Sequence, residues 1–256
     1  MNVKGIILLG GKGKRLKPFT NYISKHLLPV YNKPMLYYSL STLIYAKIKE
    51  ILIICNQEDL KTYKKILIPI SKRYKIKFLF EIQSNPTGGI AECLKIGSKF
   101  IKTCKRFVLV LGDNFFFGRD FTKILLKAIN KKKSFVFLST VNNPKNFGIA
   151  KFNKKNKLIK IIEKPISYIT NLAVTGIYVY NSSSISELSS LKRSKRGELE
   201  ITSFNNALIK KNSLDYINLG FGTSWFDLGT FSNLYECSEF VRLQENRKGI
   251  QISKLI

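Results

Sequence analysis

The sequence predicts an α/β protein whose central sheet is mostly parallel, with helices on both faces and a small antiparallel extension. Apolar runs of strand length alternate with longer stretches of helical periodicity through the first half of the chain. A loop rich in glycine follows the first apolar run directly, as at the ligand-binding edge of many open α/β sheets. In the second half the strand-like runs follow one another with little helix between them, which indicates antiparallel pairing.

The elements of the first half follow from apolar patterning and from proline and glycine. Within the predicted strand 3–9 the only unbroken apolar run is residues 6–9, which is too short for a signal peptide and fits a buried strand. Pro34 stands at the start of a helical pattern, where its missing N–H costs little. The predicted strands are residues 3–9, 51–55, 77–82, 107–111 and 135–141, and the predicted helices are residues 34–46, 60–68, 90–100 and 121–129.

The second half predicts strands at residues 149–152, 158–162 and 173–180 and helices at residues 199–210 and 231–243. No linker rich in proline, glycine or serine separates the halves, and no internal repeat is visible. We therefore expect one domain over residues 1–256, with one half up to about residue 140 and the other from about residue 141.

The charge of the chain suggests nucleic acid at first sight, since 44 Lys+Arg stand against 16 Asp+Glu in 256 residues. However, 36 of these cations are lysine and 8 are arginine, and the chain is also rich in isoleucine and asparagine. These residues have AT-rich codons, so coding bias is a rival explanation for the charge. A nucleic-acid-binding protein would also interleave basic residues with exposed aromatics or carry a recognition module, and neither is found.

The cysteines and the apolar runs predict a cytoplasmic protein that does not bind membranes. The four cysteines form no Cys-x-x-Cys pair and no cluster with histidine, which is typical of reduced thiols. No apolar stretch approaches the ~20 residues that a bilayer span needs. His26 is the only histidine, and we expect packing or a local hydrogen bond rather than catalysis from it.

The glycine loop predicts an anion-binding site. Gly10, Gly11 and Gly13 follow the first strand, and glycines let backbone N–H groups approach an anion closely. A dinucleotide fingerprint would need a small residue where Leu16 stands, and a Walker A loop would need Lys followed by Ser or Thr, so both are excluded.

The continuation of this loop resembles the signature of the sugar-1-phosphate nucleotidyltransferases. Leu16, Pro18 and Thr20 follow Gly10–Arg15 in that signature, and residues 24–31 and 33–35 match the next segment of the glucose-1-phosphate thymidylyltransferases. Further blocks appear in family order at residues 112–114, 163–165, 173–176, 196–202 and 225–230. The resemblance covers residues 4 to about 250 and implies a Rossmann-like nucleotidyltransferase fold with nucleotide-binding and sugar-binding halves.

The reaction that the resemblance implies is attack of a glucose 1-phosphate oxygen on the α-phosphorus of dTTP, with pyrophosphate leaving. Arg15 and Lys25 are then the catalytic cations, and Asp113 and Asp227 hold Mg²⁺, a cation that prefers carboxylate oxygens. The nucleotide would contact Leu9, Gly10, Gly11, Gly13, Gln83, Gly88 and Gly89, and the sugar phosphate would contact Gly148, Glu163, Lys164, Val174 and Arg196. Arg196 could equally anchor Glu198 or Glu200.

The chain departs from the family pattern at several positions. Phe147 stands where a tyrosine is usual, and Leu9 replaces an alanine, which bears on sugar and base preference. Residues 86–92 resemble the short members, so we expect no regulatory nucleotide site built from additional C-terminal helices. Relatives assemble as dimers or tetramers, which implies a homo-oligomer. The implied pathway leads to deoxysugars of the rhamnose type in surface polysaccharides.

Three alternatives stay open at this point. UTP or CTP, or another hexose 1-phosphate, could be the preferred substrate of the same reaction. A nucleic-acid-binding protein is motivated by the charge alone. A catalytically silent relative should have lost phosphate or metal ligands, yet Arg15, Lys25, Asp113, Lys164 and Asp227 are all present.

Overall fold

The computed structural model describes residues 2–255. Its strands are β1 (Val3–Leu9), β2 (Pro29–Val30), β3 (Lys33–Pro34), β4 (Glu50–Cys55), β5 (Lys77–Ile82), β6 (Arg106–Leu111), β7 (Asn114–Phe117), β8 (Ser134–Thr140), β9 (Gly148–Phe152), β10 (Leu158–Glu163), β11 (Leu172–Asn181), β12 (Leu214–Asn218) and β13 (Ser224–Asp227). Its α-helices are α1 (Met35–Tyr45), α2 (Leu60–Tyr74), α3 (Ile90–Ile96), α4 (Ser98–Ile101), α5 (Phe121–Ile129), α6 (Ile201–Lys210) and α7 (Phe231–Lys248).

A nine-stranded sheet runs through both halves of the chain. Strands β5, β4, β1 and β6 lie side by side and are all parallel. Strand β11 then pairs antiparallel with β6, and on its other side it meets β8 and β9, beyond which lie β12 and β10. Only β10 and β11 run against the common direction, which confirms the predicted mostly parallel sheet with an antiparallel extension.

Each face of the sheet buries its own hydrophobic core. Alternate side chains of β1 and β4 point to opposite faces, as the pleat of a strand requires. Ile7 and Ile53 pack toward α1, α2 and α5, whereas Ile6 and Leu52 pack toward α3, α4 and α6. Since these strands are covered on both faces, they carry unbroken apolar runs at residues 6–9 and 51–55, and the predicted arrangement of helices is confirmed.

Most predicted elements of the parallel half are present, with shifted ends. Helix α2 continues through Pro69 to Tyr74, and Gly97 divides the predicted helix 90–100 into α3 and α4. Helix α7 reaches Lys248, five residues beyond the predicted end, and closes with Gly249 in the left-handed conformation that ends many helices. None of the described helices is long and apolar enough to cross a membrane.

The sequence patterns do not predict the small two-stranded sheet of β7 and β13. It pairs Asn114 with Asp227 and Phe116 with Trp225 across a long separation in the chain. A third core, which includes Phe115, Leu228 and Val241, fixes this sheet against α1 and α7. The small sheet thereby holds one segment of the second half against the end of β6.

Candidate active site

The glycine loop lies at the carboxyl edge of the sheet, where β1 and β6 end next to each other. Strand order reverses at this point, which is where open α/β sheets bind ligands. Gly11 has a φ of 92°, a backbone conformation that glycine adopts readily. At Gly10 a Cβ atom would lie 1.9 Å from Oε1 of Gln83, so a side chain there would displace the Gln83 amide.

Two clefts open at this edge and share Arg15, Leu111 and Asp113. The glycine-loop cleft, of about 400 Å³, is lined by Leu8, Gly10, Gly11, Arg15, Lys25, His26, Gln83, Pro86, Thr87, Gly89, Ile90, Cys93, Leu111, Asp113 and Glu198. The β11 cleft, of about 540 Å³, is lined by Arg15, Leu111, Asp113, Asn114, Asn146, Phe147, Lys164, Val174, Thr175, Gly176, Tyr178, Trp225 and Asp227. A molecule that occupied both clefts would pass directly over Asp113.

Asp113 and Lys25 form an ion pair at the junction of the clefts. Nζ of Lys25 lies 2.5 Å from Oδ2 of Asp113, and Nδ2 of Asn114 donates to Oδ1 at 3.1 Å. Burial acts to raise the pKa of Asp113, but the charge of Lys25 and these hydrogen bonds hold it well below its usual range. Asp113 is therefore a fixed negative charge, and Lys25 is held beside it.

Asp227 lies near Asp113: its register partner is Asn114, the Leu228 N–H donates to the Asp113 carbonyl oxygen at 2.8 Å, and both aspartates line the β11 cleft. Its pKa is raised to about 6, first by burial and then by the negative charge of Asp113, while Arg15 and Lys25 act in the opposite direction. The backbone N–H of Gly229 donates to Oδ1 of Asp227 at 3.2 Å. The two carboxylates thus repel each other, and the site favours an additional positive charge.

Arg15 lies against the backbone of Gly229, where a Cβ atom would fall 2.3 Å from Nη2. The short 3-10 turn Lys14–Leu16 carries it there, anchored by the fully buried Leu16. Because Arg15 lines both clefts, its guanidinium can contact phosphate oxygens from either side. It is one of the predicted residues that the fold brings together with Lys25, Asp113 and Asp227.

Asn114 is a site residue whose role the sequence patterns did not predict. Its Oδ1 accepts hydrogen bonds from Nε1 of Trp225 at 2.6 Å and from the backbone N–H of Gly176 at 3.0 Å. It therefore joins β7, β11 and β13 beside Asp113. In the sequence, the one indication that Asn114 belongs to the site is its place after Asp113, and that pattern alone is also typical of a turn or a helix cap. Trp225, which lines the β11 cleft, belongs to the motif at residues 225–230.

The predicted sugar-side residues fall into two groups. Lys164 and Val174 line the β11 cleft, and Lys164 has a φ of 44°, with its N–H donating to the Phe147 carbonyl oxygen. Glu163 and Gly148 lie just behind the cleft, opposite each other in the β9–β10 ladder. Oε2 of Glu163 accepts a hydrogen bond of 2.5 Å from the Thr202 hydroxyl.

Arg196 is held by carboxylates and is not among the residues that line either cleft. Its Nη2 lies 2.8 Å from Oε1 of Glu200, 3.4 Å from Oε1 of Glu163 and 3.8 Å from Oε2 of Glu198. The structure thus realises the anchoring alternative, in which Arg196 orders the segment before α6. Because one of these carboxylates is Glu163, Arg196 also contacts one of the predicted sugar-side residues.

The predicted nucleotide-side residues are also divided. Gly10, Gly11, Gln83 and Gly89 line the glycine-loop cleft. Gly88 lies next to it, where its carbonyl oxygen accepts a hydrogen bond from the Leu199 N–H. Leu9 and Gly13 are not among the lining residues, because the Leu9 side chain points into the core and Gly13 packs against Thr20.

No cysteine or histidine of the described residues is prepared for nucleophilic or acid–base catalysis. His26 is buried, and burial followed by the charge of Lys25 lowers its pKa to about 3, so the ring stays neutral. Burial raises the pKa of Cys93, the one cysteine on the cleft wall, to about 12. His26 contacts Tyr63 and Ser24, in agreement with the predicted packing and hydrogen-bonding role.

Comparisons with known proteins agree with this geometry. The model of the nucleotidyl transferase family matches residues 4–244. A glucose-1-phosphate thymidylyltransferase of Neisseria meningitidis is 41% identical over 99% of this chain and 87% of its own length. The enzyme of that name from Mycobacterium tuberculosis is 37% identical, with 98% and 86% covered.

Solved structures extend the comparison to the fold. A provisionally assigned glucose-1-phosphate thymidylyltransferase from Bacillus anthracis superposes with a TM-score of 0.84 at 36% identity, covering 94% of this chain and 95% of that one. A UDP-glucose pyrophosphorylase reaches a TM-score of 0.83, covering 95% of this chain and all of that one, but at 20% identity it shows likeness of fold alone.

Proposed function

Because this chain belongs to the nucleotidyl transferase family, we propose that it transfers the thymidylyl group of dTTP to glucose 1-phosphate, which yields dTDP-glucose and pyrophosphate. The observation that carries this proposal is the meeting of two clefts at Arg15 and Asp113, where Lys25 pairs with Asp113, in a chain about 40% identical to thymidylyltransferases over nearly its full length. One cleft suits the nucleotide and the other suits the hexose, with the phosphates at their junction.

The chemical step exchanges one phosphate bond for another. A phosphate oxygen of glucose 1-phosphate attacks the α-phosphorus of dTTP, and the bond from that phosphorus to the bridging oxygen of pyrophosphate breaks. No protein nucleophile is needed, because the sugar phosphate is the attacking group. The principal obstacle is repulsion between four phosphate groups, so positioned cations provide most of the catalysis.

The residues on the nucleotide side each contact a different part of dTTP. The backbone N–H groups of the glycine loop receive the triphosphate, and Arg15 contacts the pyrophosphate as it leaves. Lys25 stabilises the charge that develops at the α-phosphate, since its Nζ is already held at the junction by Asp113. The base lies over Gly88–Gly89, within reach of Gln83.

The sugar-side residues hold the acceptor. Lys164 pairs with the phosphate of glucose 1-phosphate, and Glu163 accepts hydrogen bonds from the hexose hydroxyls. Val174 and Gly148 leave room for the ring. Arg196 contributes by holding Glu163 in place, at 3.4 Å from its Oε1.

The donor set at the junction fits Mg²⁺. Asp113 and Asp227 supply carboxylate oxygens, and burial followed by the charge of Asp113 raises the pKa of Asp227, which a bound cation would counteract. Mg²⁺ commonly binds through one or two carboxylates and completes its shell with phosphate and water. Bound Mg²⁺ would neutralise phosphate charge and orient the α-phosphate.

The resemblance to the family also supports a cytoplasmic homo-oligomer, a dimer or a tetramer, with one nucleotidyltransferase domain in each copy. Light scattering of the purified chain, with the elution of a monomer-sized standard for comparison, tests the assembly. A mass of 29.3 kDa in solution would contradict it.

A matrix of nucleotides and sugars tests the proposed function. Pyrophosphate release is measured with dTTP, UTP, CTP and ATP, each with glucose 1-phosphate, galactose 1-phosphate and mannose 1-phosphate. We expect the highest kcat/KM with dTTP and glucose 1-phosphate. A higher kcat/KM for another pair would overturn the assignment of substrates, and no turnover with any pair would overturn the enzymatic function.

A further inference from the structure

Asn56 has no role in the function proposed above, yet its side chain contacts the glycine loop. It follows β4 directly, one residue after Cys55, and its side chain is almost fully buried. The loop that it approaches connects β1 to the turn that carries Arg15. Asn56 therefore lies where the carboxyl ends of β1 and β4 meet.

The Asn56 amide makes a reciprocal pair of hydrogen bonds with one residue of the loop. The backbone N–H of Gly11 donates to Oδ1 at 3.3 Å, and Nδ2 donates to the Gly11 carbonyl oxygen at 3.3 Å. Nδ2 also donates to Oδ2 of Asp59 at 3.1 Å, which fixes the orientation of the amide. A side-chain amide carries its donor and its acceptor on separate atoms, so it can bond the N–H and the carbonyl oxygen of one residue at the same time.

This pair of bonds bears on the conformation of the loop. Gly11 has a φ of 92°, and there is open space around the position where a side chain would stand. Tertiary contact with Asn56, rather than packing of Gly11 itself, therefore selects this conformation among the many that glycine can adopt. The neighbouring Gly10 packs against the Gln83 side chain on the other side, so residues that follow β4 and β5 flank the loop.

We propose that Asn56 is a positioning residue for the triphosphate: its amide engages the N–H and the carbonyl oxygen of Gly11, and by fixing Gly11 it positions the other N–H groups of the loop for the phosphates of the nucleotide. The inference rests on the proposed function, because it assigns the glycine loop to the triphosphate. Asn56 and Asp59 line an adjacent cleft, which shares Gly11 and Lys25 with the glycine-loop cleft, and Asn56 is not among the residues that line the glycine-loop cleft itself. It acts through Gly11 and not by touching the substrate.

The test compares Asn56→Ala with a matched control. Asn206 makes the same reciprocal pair with Ile161, at 2.8 Å for both bonds, on the far side of the sheet from the glycine loop. Asn206→Ala therefore removes an equivalent amide from a different place. Melting temperature, kcat and both KM values are measured for the wild type and the two variants, with dTTP and glucose 1-phosphate.

We expect Asn56→Ala to lower kcat/KM for dTTP by about 10- to 100-fold, as misplaced groups do in other enzymes, and to leave KM for glucose 1-phosphate within twofold. Asn206→Ala should lower the melting temperature comparably and leave KM for dTTP unchanged. If Asn56→Ala does not fold, Asn56→Ser carries the same expectation, because its hydroxyl cannot donate to and accept from Gly11 as the amide does.

The inference is overturned if a folded Asn56 variant keeps kcat/KM for dTTP within twofold of the wild type. It is also overturned if both KM values rise equally, since a general loosening of the fold would do that. Failure of the proposed function is a separate result, because it would appear as missing activity in the wild type.

Discussion

The charge of Asp227 depends strongly on its surroundings. Its pKa is raised to about 6, by burial first and then by Asp113, so the metal-free site already resists a second negative charge. Asp113 is instead held ionised by Lys25. We therefore expect the metal site to require both carboxylates, because each one alone supplies too little charge to hold a divalent cation between phosphates.

Replacing either carboxylate with its uncharged isostere should abolish most of the activity. We expect Asp113→Asn and Asp227→Asn to lower kcat by roughly 10²- to 10³-fold or more, because each removes a charge from the metal site. The measurement is pyrophosphate release at saturating substrates, with far-UV circular dichroism to verify folding.

The matched control for these variants is Asp120→Asn, at an exposed aspartate before α5. It should keep the kcat of the wild type. A near-normal rate of Asp227→Asn at saturating Mg²⁺ would show that Asp227 does not hold the metal.

His26 makes the free energy of unfolding depend on pH. Because its pKa falls to about 3 in the folded state, the unfolded chain takes up a proton below pH 6.5 that the folded chain does not. The stability from this group is fully present above pH 6.5 and is lost as the pH falls toward 3, at about 1.4 kcal/mol per unit.

We therefore expect the free energy of unfolding to fall more steeply between pH 6 and pH 4 in the wild type than in His26→Gln, by roughly 2 kcal/mol over this range. Glutamine keeps a hydrogen-bonding side chain next to Tyr63 but does not titrate. Urea titrations at each pH measure the difference. Parallel pH profiles of the two proteins would contradict a buried neutral His26.

The small sheet of β7 and β13 brings residues of the site together. Its ladder pairs Asn114 with Asp227, and α7 begins directly after it. Thr230 caps α7, since its hydroxyl accepts a hydrogen bond from the Asn233 N–H at 3.3 Å, and Nδ2 of Asn233 donates to the Asp227 carbonyl oxygen at 2.6 Å. The start of the helix thus holds the strand that carries the carboxylate.

The helix cap can be tested with two variants of one residue. We expect Thr230→Ala to lower the free energy of unfolding by about 1 kcal/mol, because it leaves an N–H group of the first turn without a partner. Thr230→Ser keeps the hydroxyl and should stay close to the wild type. Equal stability of the alanine and serine variants in urea titrations would show that the cap contributes nothing.

These elements also show which parts of the fold can be predicted from the sequence. Strands such as β1 and β4 are apolar after their first residues because helices cover both faces, so local patterning is enough to predict them. The four-residue strands β7 and β13 have no comparable pattern, and their pairing depends on contacts between distant segments. Local periodicity therefore could not predict that Asp227 and Asn114 are neighbours.

The site residues likewise include some that the sequence predicts and some that it does not. Arg15, Lys25 and Asp113 lie in or beside the strand ends of the parallel half, and the structure brings them together as expected. Asn56 and Asn114 act through side-chain amides on backbone groups, a role that residue type alone does not reveal. Arg196 shows the reverse case, in which a motif residue is engaged by three carboxylates.

For the whole molecule, the net charge of +28 is consistent with attraction of anionic substrates over a distance. We expect kcat/KM for dTTP to fall several-fold between 50 mM and 500 mM KCl at fixed Mg²⁺, because salt screens this attraction, while kcat changes little. Initial rates of pyrophosphate release measure both quantities. A kcat/KM that does not respond to salt would show that the charge is unrelated to substrate capture.

The central claim is that the nucleotide and the sugar occupy the two clefts and that their phosphates meet at Asp113 and Asp227. A crystal structure with dTDP-glucose and Mn²⁺, in which anomalous scattering locates the metal, tests this most directly. The account predicts Mn²⁺ between the two carboxylates, the base in the glycine-loop cleft and the hexose beside Val174 and Trp225. A metal bound elsewhere, or a product that leaves either cleft empty, would contradict it.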